Sequence, residues 1–284
     1  MTHPTAARPD ALLAAVGQGV EVLDLAQPLA NGIPCSPNHP GFRMALTRRH
    51  GDMVRPDGGS AAAEIIVTGG HVGTHIDALA HVSQDGLLHG GHDCMEAQTG
   101  GSFSVHGVET IAPMICHGVM LDIAGLHGVD CLDGGYGITA EDLATAAEKA
   151  NVTPTAGGVC LINTGWSRWW PQPERYLGTE SGVPGVTAEA ARWLAQHEIR
   201  AAGTDTTAFE RIQPGRGHAV LPVHRIMLVE NGIHIIEHMR LTDLVDRGIA
   251  EFTFVLAPLK IVGATGCPVR PLAAVSAAEP ARGD

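Results

Sequence analysis

The sequence predicts an α/β protein, because β-rich runs alternate with helix-patterned ones along most of its 284 residues. Two observations carry that reading. Val20–Leu25, Ala63–Val67 and His117–Ile123 are short runs rich in apolar and β-branched residues, bounded by turn formers. Thr139 and Thr187 each stand immediately before a helix-compatible segment, where a hydroxyl caps the first turn.

Taken in order, residues 9 to 17 fit a short helix and residues 20 to 25 a strand. Pro28 to Pro40, rich in proline, glycine and asparagine, reads as a loop. The strand over 63 to 67 delivers the chain into a histidine-rich motif, and 117 to 123 forms the next strand. A helix over Ala140 to Ala150 carries Glu141 and Asp142 in its first turn, where the helix dipole favours acids. Gly157 to Asn163 reads as a buried strand and Ala188 to His197 as a second helix. Ile199 to Gly203 is a strand, Val223 to Glu230 a short helix, and Ile233 to Ile236 a strand. No internal repeat and no long linker interrupts this order.

Composition narrows the function classes. With 44% hydrophobic and 17% charged residues, the chain supports a sizeable core and no long disordered region. A formal net charge of -12 argues against a nucleic-acid or anionic-membrane partner. It does not exclude a small anionic substrate, since bound metal ions dominate their local field. The six cysteines are scattered, with no CxxC spacing, and read as free thiols in a reducing compartment. With no basic leader pattern or spanning segment, the cytoplasm is the expected location.

The most informative stretch is Gly70 to His81, which holds His71, His75, Asp77 and His81. In an extended segment, side chains two and four residues apart share a side, so His71, His75 and Asp77 converge, with Gly73 leaving room for an ion. If the chain turns helical after Thr74, Asp77 and His81 are instead one turn apart. Two imidazoles and a carboxylate suit Zn, Mn or Fe, and so few protein ligands leave positions for water and substrate. The chain has sixteen histidines, so His3, His50, His106, His117, His127 and His197 read as ordinary surface or core residues.

His71-Val-Gly-Thr74-His75-Ile-Asp77-Ala-Leu-Ala-His81 resembles the signature of the metal-dependent cyclase family, which includes bacterial kynurenine formamidases and isatin hydrolases. Weaker similarities extend it: Gly157 to Trp166 ending in Thr-Gly-Trp, Pro184-Gly-Val, Glu189 to Leu194, Gly203-Thr-Asp205, Pro222 to Glu237, and Phe254 to Arg270. Together they span most of residues 20 to 275. The resemblance implies a swivelling β/β/α fold with a mixed, barrel-like sheet and flanking helices. It implies one hydrolase domain over 20–275, with residues 1–19 as a candidate subunit-contact arm and 276–284 as a flexible tail. A homodimer or homotetramer is also implied.

The resemblance further implies that His224 and Glu237 bind a second metal, with Asp77 bridging; otherwise Glu237 pairs with Arg240 and His224 merely packs. One or two ions of Zn or Mn are expected. His218, His234 and His238 are nearby candidates, but His234 and His238 alternate in parity with Glu237 and read as solvent-facing or supporting. The family pattern makes His81 the general base and then acid, the alternative being that it completes the first metal's coordination. Thr74 and Asp205 are candidates for orienting the histidines.

Competing chemistries find little support, since there is no Gly-x-Ser-x-Gly elbow and no cysteine with a recognisable histidine partner. Trp166, Trp169 and Trp170 are three of four tryptophans, so Trp166 is a candidate pocket wall for a planar aryl amide or lactam, with Phe209 and Arg211 as further candidates. Two features depart from the plainest formamidase pattern: Asp77-Ala-Leu-Ala-His81, where many formamidases carry a proline, and a longer insertion around Asp85-Gly86. Ring opening of a lactam, imide or lactone therefore fits as well as N-formylkynurenine. The expectation is a metal-dependent hydrolase of a non-peptide amide or cyclic amide. The rivals are a lactone hydrolase and a non-catalytic metal-binding protein that has kept the fold.

Overall fold

A computed structural model describes residues 11–218 and 220–277. The start of the expected N-terminal arm, His3, and nearly all of the expected tail lie outside the described residues. Of the first expected helix, Ala11–Gly17 is formed, and all of it is exposed.

Among the described residues thirteen strands form: β1 (Val20–Asp24), β2 (Arg43–Arg48), β3 (Ala63–Val67), β4 (His75–Asp77), β5 (Met114–Asp122), β6 (Gly137–Ile138), β7 (Val159–Asn163), β8 (Gly185–Val186), β9 (Ala201–Thr204), β10 (His234–Glu237), β11 (Glu251–Leu256), β12 (Gly266–Pro268) and β13 (Leu272–Ser276). Nine of them make one sheet in the order β1-β13-β11-β5-β7-β9-β10-β4-β12, curled into a half-barrel. The sheet is mixed: β5, β7, β9 and β10 run parallel to one another, and the flanking pairs are antiparallel.

The sequence explains this arrangement. All five residues of β7 are buried, as expected of a parallel strand covered on both faces. Alternation splits the sheet between two cores. Val119, Leu121, Cys160, Ile162, Ala202 and Ile235 face a helical layer that contributes Leu143, Ala146, Ala190, Leu194, Ile226 and Met227. Met120, Val159, Leu161, Ala201 and Ile236 face the other side, with Leu23, Phe252, Phe254 and Ala273. A slip of one residue would exchange these two sets, so burial fixes the register.

The first long helix, Ala140–Ala150, starts on a reciprocal cap. Asp142 N donates to Thr139 Oγ1 (3.0 Å) while Thr139 N donates to Asp142 Oδ2 (2.9 Å). The second, Ala188–Gln196, is capped by Thr187, which accepts from Ala190 N at 3.3 Å.

Two elements differ from the expected ones. The short helix over 223 to 230 is a single α-turn, Pro222–His224, running into a π-helical stretch, Arg225–Glu230. Wide turns of this kind recur at functional sites. Strand β3 does lead into the histidine motif, but it pairs with β2 in a separate hairpin outside the main sheet. Every hairpin strand residue except Arg48 and Ala63 is exposed.

Candidate metal centre

The centre is assembled where β10 meets β4. Their antiparallel register sets Glu237 opposite His75 and Ile235 opposite Asp77. Cross-strand partners share a face, so the β10 carboxylate lies beside the β4 imidazole, with Glu237 Oε2 at 3.4 Å from His75 Nε2. His75 Nε2 is also 3.5 Å from Asp77 Oδ1.

His71 joins them by a turn rather than by strand alternation. The chain is extended only from His75, and Gly73 adopts φ +65°. His71 Nδ1 then lies 2.7 Å from Asp77 Oδ1. A Cβ on Gly73 would sit 2.3 Å from Leu29 Cδ2, so the space beside this glycine belongs to Leu29 and not to an ion. After β4 the chain folds back, with His81 N donating to Ala78 O at 2.9 Å, and the His81 ring stacks on His71 with centroids 3.9 Å apart. The Pro222–His224 turn brings His224 Nε2 to 3.3 Å from Glu237 Oε1 and 3.7 Å from Asp77 Oδ2.

Backbone and side-chain partners aim the imidazoles. His75 Nδ1 donates to Gly73 O (2.8 Å), and His224 Nδ1 donates to Glu210 Oε1 (2.6 Å), so each ring turns Nε2 towards the carboxylates. Three overlapping donor groups result: His71, Asp77 and His81; His75, Glu237 and His238; Asp77, His224 and Glu237, each with ligand atoms within 4.8 Å of one another. Asp77 and Glu237 each belong to two groups.

Residues of this kind fit a divalent ion, and two orphaned atoms make the case. Asp77 Oδ2 and Glu237 Oε1 are buried and make no well-formed hydrogen bond, facing only His224 Nε2 at 3.7 and 3.3 Å. Unpaired buried carboxylate oxygens are costly, and a cation is the partner that removes the cost. The electrostatics divide the imidazoles: burial keeps His75 and His81 neutral, while against burial the neighbouring carboxylates raise His71 and His224. Burial pulls His75 down to about 4 and His81 to about 3, so both are neutral imidazoles near neutral pH, the form that ligates a metal. Burial pushes Glu237 up to about 7, against the pull of His224. Burial also works against ionisation of Asp77, but His81 and His71, both protonated at the low pH where Asp77 titrates, outweigh it and hold Asp77 below the carboxylate range. His224 behaves oppositely: burial disfavours its charge, yet the Glu210 hydrogen bond raises it well above the ordinary value.

The structure therefore brings together His71, His75, Asp77, His81, His224 and Glu237. Other sequence candidates lie elsewhere. Trp166 is buried with Trp170, Tyr176 and Val183, its indole Nε1 donating to Tyr176 O at 2.8 Å. Phe209 is fully buried in the helix-side core. Neither borders the cavity above the centre. Thr74 fastens backbone rather than a histidine ring: its Oγ1 donates to His238 O (2.6 Å) and accepts from Gln27 N (2.8 Å). The Asp205 carboxylate accepts from Thr164 N, Thr164 Oγ1 and Ser167 N, clamping the Thr-Gly-Trp turn without touching a histidine.

Sequence reasoning missed Glu210 and His39, and set His238 aside. Glu210 is 1% exposed and accepts from Val223 N, His224 N and His224 Nδ1. His39, from the proline-rich loop, stacks on His71 at 5.1 Å. His238 escapes the strand's parity because its φ is +56°, which turns its ring into the cavity wall, where Nδ1 lies 3.1 Å from Tyr176 Oη. His234 hydrogen-bonds Asp77 O (2.9 Å) and so ties β10 to β4.

The cluster floors a cavity of about 260 Å³ whose upper walls include Ser36, Asn38, Thr207 and Leu221. Fold and cluster together define a curled α/β scaffold with a histidine–carboxylate centre. The chain belongs to the putative cyclase family, whose profile matches residues 23–211, a span that holds His71 to His81 but not His224 or Glu237. It is similar to the isatin hydrolase of Roseibium aggregatum, with 27% identity over 227 residues and 77% of each chain covered. A solved structure described as a novel cyclase matches with a TM-score of 0.81 at 25% identity, covering 94% of this chain and 93% of that one. Isatin hydrolase A from Ralstonia solanacearum matches with a TM-score of 0.74 over 96% of this chain and 100% of that one; at 23% identity the likeness is one of fold.

Proposed function

We propose that the chain is a metal-dependent hydrolase that cleaves a non-peptide amide or cyclic amide, of the arylformamide or lactam kind, with a lactone as the alternative acyl substrate. The observation that carries this reading is the pair of buried oxygens without a hydrogen bond, Asp77 Oδ2 and Glu237 Oε1, among imidazoles beside a cavity. His71, His75, Asp77, His224 and Glu237 are the residues that would hold one or two divalent ions, and their nitrogen and oxygen donors suit Zn or Mn. When bound, such an ion supplies Lewis acidity and lowers the pKa of water from 15.7 to about 7.

The chain's own residues supply the rest. His81 borders the cavity beside His71, where it is placed to accept a proton from attacking water and return it to the leaving nitrogen or oxygen. Glu210 fixes the His224 ring, and Gly73 O fixes that of His75, before substrate arrives. The similarity to an isatin hydrolase supports hydrolysis of a cyclic amide. The test is hydrolysis of a lactam, an arylformamide and a lactone by protein loaded with Zn or Mn. Activity lost to a chelator and restored by the metal supports the reading; loaded protein that turns over none of them is the non-catalytic rival.

The same proposal includes self-association and a cytoplasmic location. Met44, Leu46 and Ile66 expose 43%, 46% and 55% of their surface on one face of the β2–β3 hairpin, and Ile65 and Val67 expose 54% and 56% on the other, apolar surface of the kind that a second copy covers. Light scattering that finds a monomer would contradict it. All six cysteines are free thiols, which fits a reducing compartment, and no described helix is long and apolar enough to cross a membrane.

A further inference from the structure

The walls of the cavity narrow the substrate, an inference that rests on the hydrolase reading above. Above the floor the cavity is bordered by Ser36, Asn38, His39, Thr207, His218 and Leu221. No phenylalanine, tyrosine or tryptophan borders it among the described residues, and no lysine or arginine does. Pockets for larger organic ligands are lined mainly by apolar and aromatic side chains and hold roughly 300–1,000 Å³. This one measures about 260 Å³ before any ion takes its share. The tryptophan that could have supplied an aryl-binding wall, Trp166, is instead committed to a core by its hydrogen bond to Tyr176 O.

The polar wall also carries an unpaired group. Thr207 borders the cavity, and its Oγ1 is closed to solvent and without a hydrogen-bond partner, so a ligand meets it once the side chain rotates about χ1. A hydroxyl left unpaired in a binding site rewards a ligand that supplies the missing bond. Without a cation above the floor, the wall offers no ion pair to the carboxylate of a zwitterionic amino-acid amide.

We propose that the substrate is a neutral, compact cyclic imide or lactam with no fused aryl ring, whose N–H and C=O edge is read by Thr207 and by the Ser36–Asn38 loop. Water adds to the ring carbonyl carbon and the C–N bond breaks. Its electron pair goes to nitrogen, which takes up a proton, and the product is an open-chain acid carrying the amide or amine. Nothing is oxidised or reduced.

The test compares kcat/KM of the metal-loaded full chain on succinimide, glutarimide, isatin and N-formylkynurenine, with wild type and Thr207→Val. The expected result is an imide preferred over isatin by about 10-fold or more, on the scale of one recognition contact. Thr207→Val should raise KM for the imide about 10-fold with kcat little changed, the signature of lost binding common to ground and transition states. Saturation-transfer NMR on metal-loaded His81→Ala should show succinimide binding more strongly than isatin, a readout independent of turnover. A preference for isatin or N-formylkynurenine overturns this inference and leaves the hydrolase reading standing. Hydrolysis of none of the four, with metal bound, overturns both. A Thr207→Val protein with lowered melting temperature and unchanged KM overturns the role given to Thr207.

Discussion

Glu210→Gln is the substitution that separates a built metal site from a chance cluster. Among the gathered residues Glu210 hydrogen-bonds His224: its carboxylate accepts from His224 Nδ1 at 2.6 Å and His224 N at 3.0 Å, and from Val223 N at 3.2 Å. Glutamine keeps the shape and one accepting oxygen, so the two His224 contacts survive as neutral bonds. Its amide group then faces the Val223 N–H, donor against donor. One buried donor is left unsatisfied, at a cost of about 1–3 kcal/mol, and the charge-assisted bond to His224 weakens. The lost charge also makes His224 less basic and its ring less firmly aimed, which at other metal centres lowers affinity by about 10–100-fold. The assay is chelator competition for bound Zn or Mn, run beside a thermal melt in excess metal. The expected outcome is the affinity loss together with a modestly lowered melting temperature. Affinity within about 3-fold of wild type, which is under 1 kcal/mol, would refute the claim that His224 is a ligand held by Glu210.

Further outcomes follow from the same geometry. His81→Ala should keep its metal while turnover falls by about 10²-fold or more, whereas His75→Ala should lose both; metal loss in His81→Ala would make His81 a ligand instead. The Asp142 cap gives a pH prediction: burial works against its charge, but bonds from Thr139 N, Thr139 Oγ1, Tyr136 and His127 outweigh this and hold the carboxyl below its ordinary value. A depressed folded value means the cap stabilises above the unfolded carboxylate's pKa and is lost as pH falls through the folded one. Asp142→Asn should therefore cost about 0.5–2 kcal/mol in urea melts near neutral pH, with the gap to wild type closing in acid; a pH-independent gap would contradict the assignment.

How much of this was legible in the chain depends on the distance over which each feature is encoded. Thr139 and Asp142 lie three residues apart and hydrogen-bond each other, so the helix they open begins where the sequence places it. The run from His71 to His81 is equally local, and four of the six gathered residues come from it. Glu210 carried no such mark, because its partner His224 lies fourteen residues on and nothing nearby separates it from a surface acid beside Arg211. His238 was set aside on strand parity, which fails wherever a residue takes a positive φ, as His238 does at +56°. Trp166 and Phe209 read as pocket walls from composition alone, but an aromatic is as readily consumed by a core, and both are buried. Sheet order was out of reach for a similar reason: β4 pairs with β10 and β12, both more than 150 residues away, so only the fold joins them.

The central claim is that Asp77 and Glu237 are buried to hold a divalent ion. Metal analysis of freshly purified wild-type protein beside His224→Ala tests it most directly. The account predicts stoichiometric Zn or Mn in the wild type and less in His224→Ala, whose remaining donors still include His71, His75 and Asp77. Protein that carries no metal, and takes up none when Zn or Mn is added, would contradict it.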